Sequence, residues 1–165
     1  MPQPTSNLAE PYMIRACLIL AAAATLIPIA AHAQTPCSLL TPDQIKAVLN
    51  SPVEPGQPGV AKNSNECTWS DANGADRVYI ALRPAADFPT FRTQIEKSGG
   101  HPSPAPGLGD DAFFVSPQQP DDSSSALYVL TKNHLLLLTV TLPDGTQQTN
   151  QAAEKTLATQ ILPKL

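Results

Sequence analysis

The stretch that decides the fold is ALYVLTKNHLLLLTVTL, residues 126–142, the most apolar part of the chain after its N-terminal segment. With a turn at Lys132-Asn133, it predicts a β-hairpin in which Leu127 lies opposite Leu138. Because side chains alternate across a strand, both faces of this ribbon are apolar near its turn, and we expect it at the centre of a sheet. One face carries Leu127, Val129, Leu136, Leu138, Val140 and Leu142.

Three further strands are expected before this hairpin. Residues 77–83 alternate apolar and polar side chains, and an Asn-Gly turn at Asn73-Gly74 joins them to a short strand at 66–70. Another strand is expected at 111–116, directly after a glycine-rich turn. Together with the hairpin, this makes five strands.

Three helices complete the predicted domain. Thr41, Pro42 and Gln44 form a helix start with a capping box, and a second helix is expected at 87–98. The third begins near Thr146 or Asn150 and ends at Pro163. We therefore predict an α+β domain with a mainly antiparallel five-stranded sheet, about three helices and the order α-β-β-α-β-β-β-α. Two proline-rich segments are expected as a loop (52–65) and an extended connector (101–106).

The N-terminal segment predicts export. A short positive stretch at 13–15 precedes the apolar residues 16–30, and Ala31-His32-Ala33 supplies the small residues of a signal-peptidase site, so we expect cleavage between Ala33 and Gln34. Residues 1–33 are predicted to be the signal peptide, with Met13 as an alternative start, and 34–165 a single exported α+β domain. We expect it in the periplasm or the medium, with no stable membrane span after cleavage.

Two cysteines, Cys37 and Cys67, remain in the predicted mature chain, because Cys17 lies in the signal. In an oxidising compartment, two cysteines are most simply one disulfide. Neither Cys17 nor Cys37 follows the triplet that lipid attachment requires, so we expect no lipid anchor.

Among candidate binding motifs, the strongest is Gly107-Leu108-Gly109-Asp110-Asp111. Its glycines allow close backbone approach to a ligand, and its carboxylates suit a cation or a sugar hydroxyl. The alternative is a structural turn with positive φ at the glycines. A third glycine and a following helix are both missing, so the motif is no dinucleotide or phosphate loop.

An enzymatic alternative would use His101 with Asp110 and Asp111, which must then converge on one pocket. The sequence supplies no nucleophile or orienting group for them. His134 lacks a second metal ligand nearby, and Asp121-Asp122 lacks the spacing of a calcium loop. We therefore assign no catalytic, metal or cofactor-binding residues.

The order of three short motifs resembles a family of small exported bacterial domains of unknown function, many of them lipoproteins. The motifs are Cys37-Ser38-Leu39-Leu40-Thr41 at a helix start, Cys67-Thr68-Trp69 on a strand, and Gly107-Leu108-Gly109-Asp110-Asp111-Ala112 before another. The resemblance implies an extracytoplasmic α+β domain with a Cys37–Cys67 bridge and carries over no catalytic residues. This chain departs from the lipoprotein members by lacking their acylation site.

The net charge of −4 argues against a nucleic-acid partner, which would require a basic patch. We expect a non-enzymatic extracytoplasmic binding domain for an envelope protein, a cell-wall fragment or a small ligand. The sheet edge or the long polar loops would form its binding surface. The alternatives are the hydrolase or metal-dependent enzyme described above and a structural cell-envelope protein.

Overall fold

The computed structural model describes residues 35–61, 64–116 and 123–165. The predicted signal peptide, its cleavage position at Ala33-Gln34 and the pair Asp121-Asp122 lie outside these residues. No helix of the described chain is long and apolar enough to cross a membrane.

The described chain contains three α-helices and seven strands. The helices are α1 (Pro42–Leu49), α2 (Phe88–Lys97) and α3 (Gln147–Ile161). The strands are β1 (Gln57–Pro58), β2 (Glu66–Ser70), β3 (Asp76–Pro84), β4 (Ser103–Pro104), β5 (Asp111–Val115), β6 (Ala126–Leu130) and β7 (His134–Val140). Short 3-10 turns lie at Pro36–Ser38, Ala85–Asp87 and Leu162–Lys164.

All seven strands form one antiparallel sheet in the order β1-β2-β3-β7-β6-β5-β4. The predicted hairpin is β6 and β7, and its register is confirmed, with Leu127 opposite Leu138 and Leu130 opposite Leu135. The strand β7 lies in the middle of the sheet, between β3 and β6. The ribbon is thus central in the sheet, as expected, with its first face buried and its second face covered only in part.

The α+β class and the three helices are confirmed, but the prediction of five strands was wrong. The two additional strands, β1 and β4, lie in the proline-rich segments that were expected to be a loop and a connector. Pro58 pairs opposite Cys67, and Pro104 opposite Phe113, at the two outer edges of the sheet. Proline lacks an N–H donor, so a sheet accepts it at an edge, where one side of the strand needs no partner. The observed order is therefore α-β-β-β-α-β-β-β-β-α.

The helix starts follow from local side-chain chemistry. Thr41 and Gln44 form the predicted capping box, in which each side chain bonds the other's backbone N–H. Thr146 and Thr149 cap α3 in the same way. Both boxes satisfy N–H groups that a helix leaves unpaired at its first turn.

The two faces of the sheet are covered unequally. The first face packs against α1 and α3 and holds most of the core, including Ile45, Ile80 and Leu157. On the second face, α2 packs Phe88 against Phe113, with ring centroids 5.4 Å apart. Phe114, the neighbour of Phe113, points to the first face, so both adjacent aromatics are buried.

The predicted pairing of Cys37 with Cys67 is seen, with the two sulfurs at disulfide distance (1.99 Å). The bridge joins the turn before α1 to β2, and Trp69, two residues along β2, is fully buried beside it. Gly56 packs against this corner so closely that a Cβ there would lie 2.7 Å from both Cys67 Sγ and the Trp69 ring. The disulfide is therefore part of the core on the first face.

Candidate functional site

The residues of the enzymatic alternative fall into two groups: Asp110 and Asp111 lie at the start of β5, whereas His101 precedes β4, which pairs with the other end of β5. Asp111 begins β5 opposite Leu130, whereas Ser103 lies opposite Phe114, three residues further along. At about 3.3 Å per residue, these register positions are already about 10 Å apart. His101 precedes Ser103, where the antiparallel pairing of β4 with β5 leads the chain away from Asp111. The fold does not bring His101 to Asp110 and Asp111.

The glycine-rich motif forms a tight turn against the end of β6. Gly107 and Gly109 have φ values of 85° and 54°. The backbone N–H of Asp110 donates to Leu130 O at 2.8 Å, and a Cβ on Gly109 would lie only 2.2 Å from the same oxygen. Asp111 forms an exposed ion pair with Arg92 of α2 at 3.3 Å. The turn and its packing against β6 explain why glycine stands at both positions, and the ion pair engages Asp111. These contacts favour the structural alternative.

His134 begins β7 directly after the hairpin turn. Its backbone N–H donates to Thr131 Oγ1 at 3.1 Å, and that hydroxyl donates back to His134 O. Its ring nitrogen Nδ1 has no hydrogen-bond partner within the described part of the chain. No group of three His, Cys, Asp or Glu residues that could hold a metal ion occurs within residues 35–61, 64–116 and 123–165.

The candidate binding surface is the part of the second sheet face that α2 leaves open. The helix covers the β5–β6 side, where Phe91 packs on Tyr128. On β2, β3 and β7 the same face carries half-buried side chains, which we call the Tyr79 face: Thr68, Tyr79, Leu137 and Thr139. Thr68, Tyr79 and Thr139 form one cross-strand row, with the tyrosine between the two hydroxyls.

The charges beside the Tyr79 face compensate one another. Arg83 and Glu66 form a half-exposed ion pair at 2.7 Å on the same side of the sheet. Burial raises the pKa of the Tyr79 hydroxyl, and the nearby Glu66 carboxylate raises it further. The phenol therefore stays protonated, and its O–H interacts with the Glu66 carboxylate. The surface as a whole is polar but uncharged.

At its Thr139 end, the Tyr79 face adjoins a wide groove of about 560 Å³ between the end of α2 and strands β5, β6 and β7. The described residues that line the groove include no ionisable side chain. Two glycines, Gly99 and Gly100, form the wall contributed by the end of α2. The remaining lining residues are small and apolar or carry a hydroxyl: Ser98, Val115, Ser116, Ser124, Ser125, Ala126, Thr139 and Thr141. The hydroxyl of Ser125 is engaged with Glu154.

Two hydroxyls of this groove, those of Ser98 and Ser116, keep capacity for a ligand. Ser98 Oγ donates to Ile95 O at 2.8 Å, and Ser116 Oγ accepts from the side chains of Gln147 and Gln151, the latter at 3.2 Å. A hydroxyl has one donor hydrogen and two acceptor lone pairs, so Ser98 can still accept and Ser116 can still donate. The groove can therefore form hydrogen bonds with neutral polar groups.

The edges of the sheet are poor sites for strand addition. Both outer strands are only two residues long, and each contains a proline, Pro58 or Pro104. Short edges with proline are a common protection against pairing with another chain. The geometry thus favours the open face over the sheet edge that the sequence suggested.

Sequence reasoning missed this surface for two reasons. Tyr79 was recognised only as one of the polar-side residues of a half-buried strand. The groove is assembled from α2, β5, β6 and β7, which are brought together by the fold and share no sequence motif. Comparisons with protein families, with curated proteins and with solved structures find no match for this chain.

Proposed function

We propose that this chain is a non-enzymatic extracytoplasmic binding domain, and that the Tyr79 face with its adjoining groove binds an uncharged, hydroxyl-rich ligand such as the glycan part of a cell-wall fragment. The single observation that carries the proposal is the half-buried Tyr79 between Thr68 and Thr139 on a sheet face that α2 covers only in part.

The chemistry of the surface selects for such a ligand. Tyrosine offers a flat apolar ring with a polar tip, a combination enriched at binding surfaces. A sugar hydroxyl loses hydrogen bonds to water when it binds, and threonine and serine hydroxyls can replace them. Without such replacement, burial of the sugar hydroxyl would cost free energy and weaken binding. Because Glu66 and Arg83 neutralise each other, the surface offers no net charge to attract an ionic ligand.

The proposal is tested by NMR titration of the domain with soluble oligomers of N-acetylglucosamine. We expect the largest amide shifts at Thr68, Tyr79, Leu137 and Thr139. Replacement of Tyr79 by Thr keeps a β-favouring side chain but removes the ring, and we expect at least about tenfold weaker binding, since loss of an aromatic anchor at a hot spot typically costs about 2 kcal/mol or more.

The matched control is Val60→Thr, which removes an exposed apolar side chain outside this surface. Equal weakening by both variants, or shifts confined to other parts of the domain, would contradict the proposed site. To test for a protein ligand instead, a photo-crosslinking amino acid at position 79 is used in exporting cells. A protein adduct at 79 and none at 60, together with no response to the oligomers, would replace the glycan with a protein partner.

A further inference from the structure

Two polar residues are fully buried one turn apart in α3. Asn150 and Glu154 are both 0% exposed, because they lie on the side of the helix that faces the core, among otherwise apolar residues. Asn150 is satisfied at both ends of its amide. Its Oδ1 accepts from Leu142 N at 3.1 Å, and its Nδ2 donates to Ser123 O at 2.8 Å.

The carboxyl of Glu154 is satisfied at only one oxygen. Oε1 accepts from Ser125 Oγ at 2.9 Å and from Val140 N at 3.2 Å. Oε2 has no hydrogen-bond partner among the residues that the structure describes. A buried, half-satisfied polar group is costly to the folded state, and it is more costly when it carries a charge.

Within residues 35–61, 64–116 and 123–165, no cation compensates this carboxyl. Its contacts from β7 and from the residue before β6 are an amide and a hydroxyl, neither of which titrates near neutral pH. On α1, the charged residues Asp43 and Lys46 are exposed, and Lys155 is the half-buried neighbour on α3 itself. Lys164, after α3, donates to Leu39 O. Burial is the leading cause that raises the pKa of Glu154 from 4.5 to about 7, against the opposing hydrogen bonds from Ser125 and Val140.

Both hydrogen-bond donors to Glu154 lie in segments that also wall the groove. Ser125 lies between Ser124 and Ala126, and Val140 lies between Thr139 and Thr141. The carboxyl thus fastens these two segments to α3 from the first face of the sheet, while their neighbours form the groove on the second face.

We propose that Glu154 is a proton-controlled latch: when protonated it stays buried and fastens Ser125 and the end of β7 to α3, and its ionisation, which makes burial of the carboxyl costly, releases these two contacts and changes the wall of the groove. The latch acts on the conformation of the domain and operates whether or not the groove binds a glycan.

The direction of the switch follows from linkage. A carboxyl whose pKa is higher in the closed state than in the opened, hydrated state favours closure most at low pH. That preference falls as the pH rises from 4.5 through about 7. If the released carboxyl titrates at its ordinary value, the opening equilibrium should increase on the order of 10- to 100-fold between pH 5 and pH 8.

The test is hydrogen exchange at pH 5 and pH 8, corrected for the intrinsic pH dependence of exchange. The reporters are the amide of Val140, which donates to Glu154, and that of Leu142, which donates to Asn150. In the wild type, we expect protection of these amides to be on the order of 10- to 100-fold lower at pH 8 than at pH 5. In E154Q, we expect a much smaller difference. The control E96Q, at an exposed glutamate of α2, should behave as the wild type. Equal corrected protection at the two pH values in the wild type would overturn the latch.

A second measurement does not depend on the variant folding. The carboxyl carbon of Glu154 is followed by NMR in the wild type as the pH is raised. A midpoint near 7, with the Val140 amide shift changing in parallel, supports the latch. A midpoint near 4.5, or a Val140 amide that does not follow it, would overturn it.

Discussion

Ser125 Oγ donates a 2.9 Å hydrogen bond to Oε1 of Glu154 and so joins the residue before β6 to the middle of α3, 29 positions later in the chain. The same oxygen accepts from Val140 at the end of β7. One buried carboxyl therefore connects a helix on the first face of the sheet to the two segments that border the groove on the second face.

The replacement Glu154→Gln should remove the pH dependence that this carboxyl gives to global stability. The raised pKa stabilises the wild type fully below 4.5, and this contribution is lost as the pH rises through about 7. The full loss corresponds to about 3 kcal/mol. We expect the variant to equal or fall slightly below the wild type at pH 4 and to exceed it by about 1–3 kcal/mol at pH 8. Urea unfolding across this range measures the difference.

The matched control for this prediction is Glu96→Gln, which changes the net charge equally at an exposed position. If the two variants show the same difference from the wild type at every pH, the buried environment of Glu154 has no effect on stability.

Removal of the disulfide by Cys37→Ser with Cys67→Ser should lower the free energy of unfolding by about 3–4 kcal/mol, because the bridge closes a loop between residues 30 positions apart. Denaturant unfolding of the double variant and of the wild type with and without reductant measures this. A reductant should destabilise the wild type by a similar amount and leave the double variant unchanged. A wild type insensitive to complete reduction would contradict the prediction.

Alanine at Gly109 should destabilise the domain more than alanine at Gly107. Both glycines have positive φ, which costs a side-chain-bearing residue about 1 kcal/mol. Only at Gly109 does a Cβ meet backbone, 2.2 Å from Leu130 O, while nothing lies within 4 Å at Gly107. We expect losses of about 1 kcal/mol for Gly107→Ala and at least about 2 kcal/mol for Gly109→Ala, measured by thermal or urea unfolding. Equal losses would show that the contact with β6 is relaxed at little cost.

The buried polar pair in α3 was visible in the sequence but was not recognised. Positions 150, 153, 154, 157, 158 and 161 repeat with helical spacing, and four of them hold Ala, Leu or Ile. Asn150 and Glu154 occupy the other two, so a search for polar residues on an apolar stripe would have found them. Their partners would have stayed unknown, because Ser123, Ser125 and Val140 come to the helix only through packing of α3 on the sheet.

The sequence by itself determined what depends on neighbours along the chain. The β6–β7 register follows from an apolar run on both sides of a Lys-Asn turn, and the starts of α1 and α3 follow from threonine caps. The pairing of Cys37 with Cys67 required only two cysteines in one domain. The tertiary structure alone decided what depends on distant residues meeting. It placed Pro58 and Pro104 on the sheet edges, separated His101 from Asp111, left Tyr79 half-buried and enclosed Glu154. In each case, the deciding quantity was the burial or pairing supplied by another element, which no local pattern encodes.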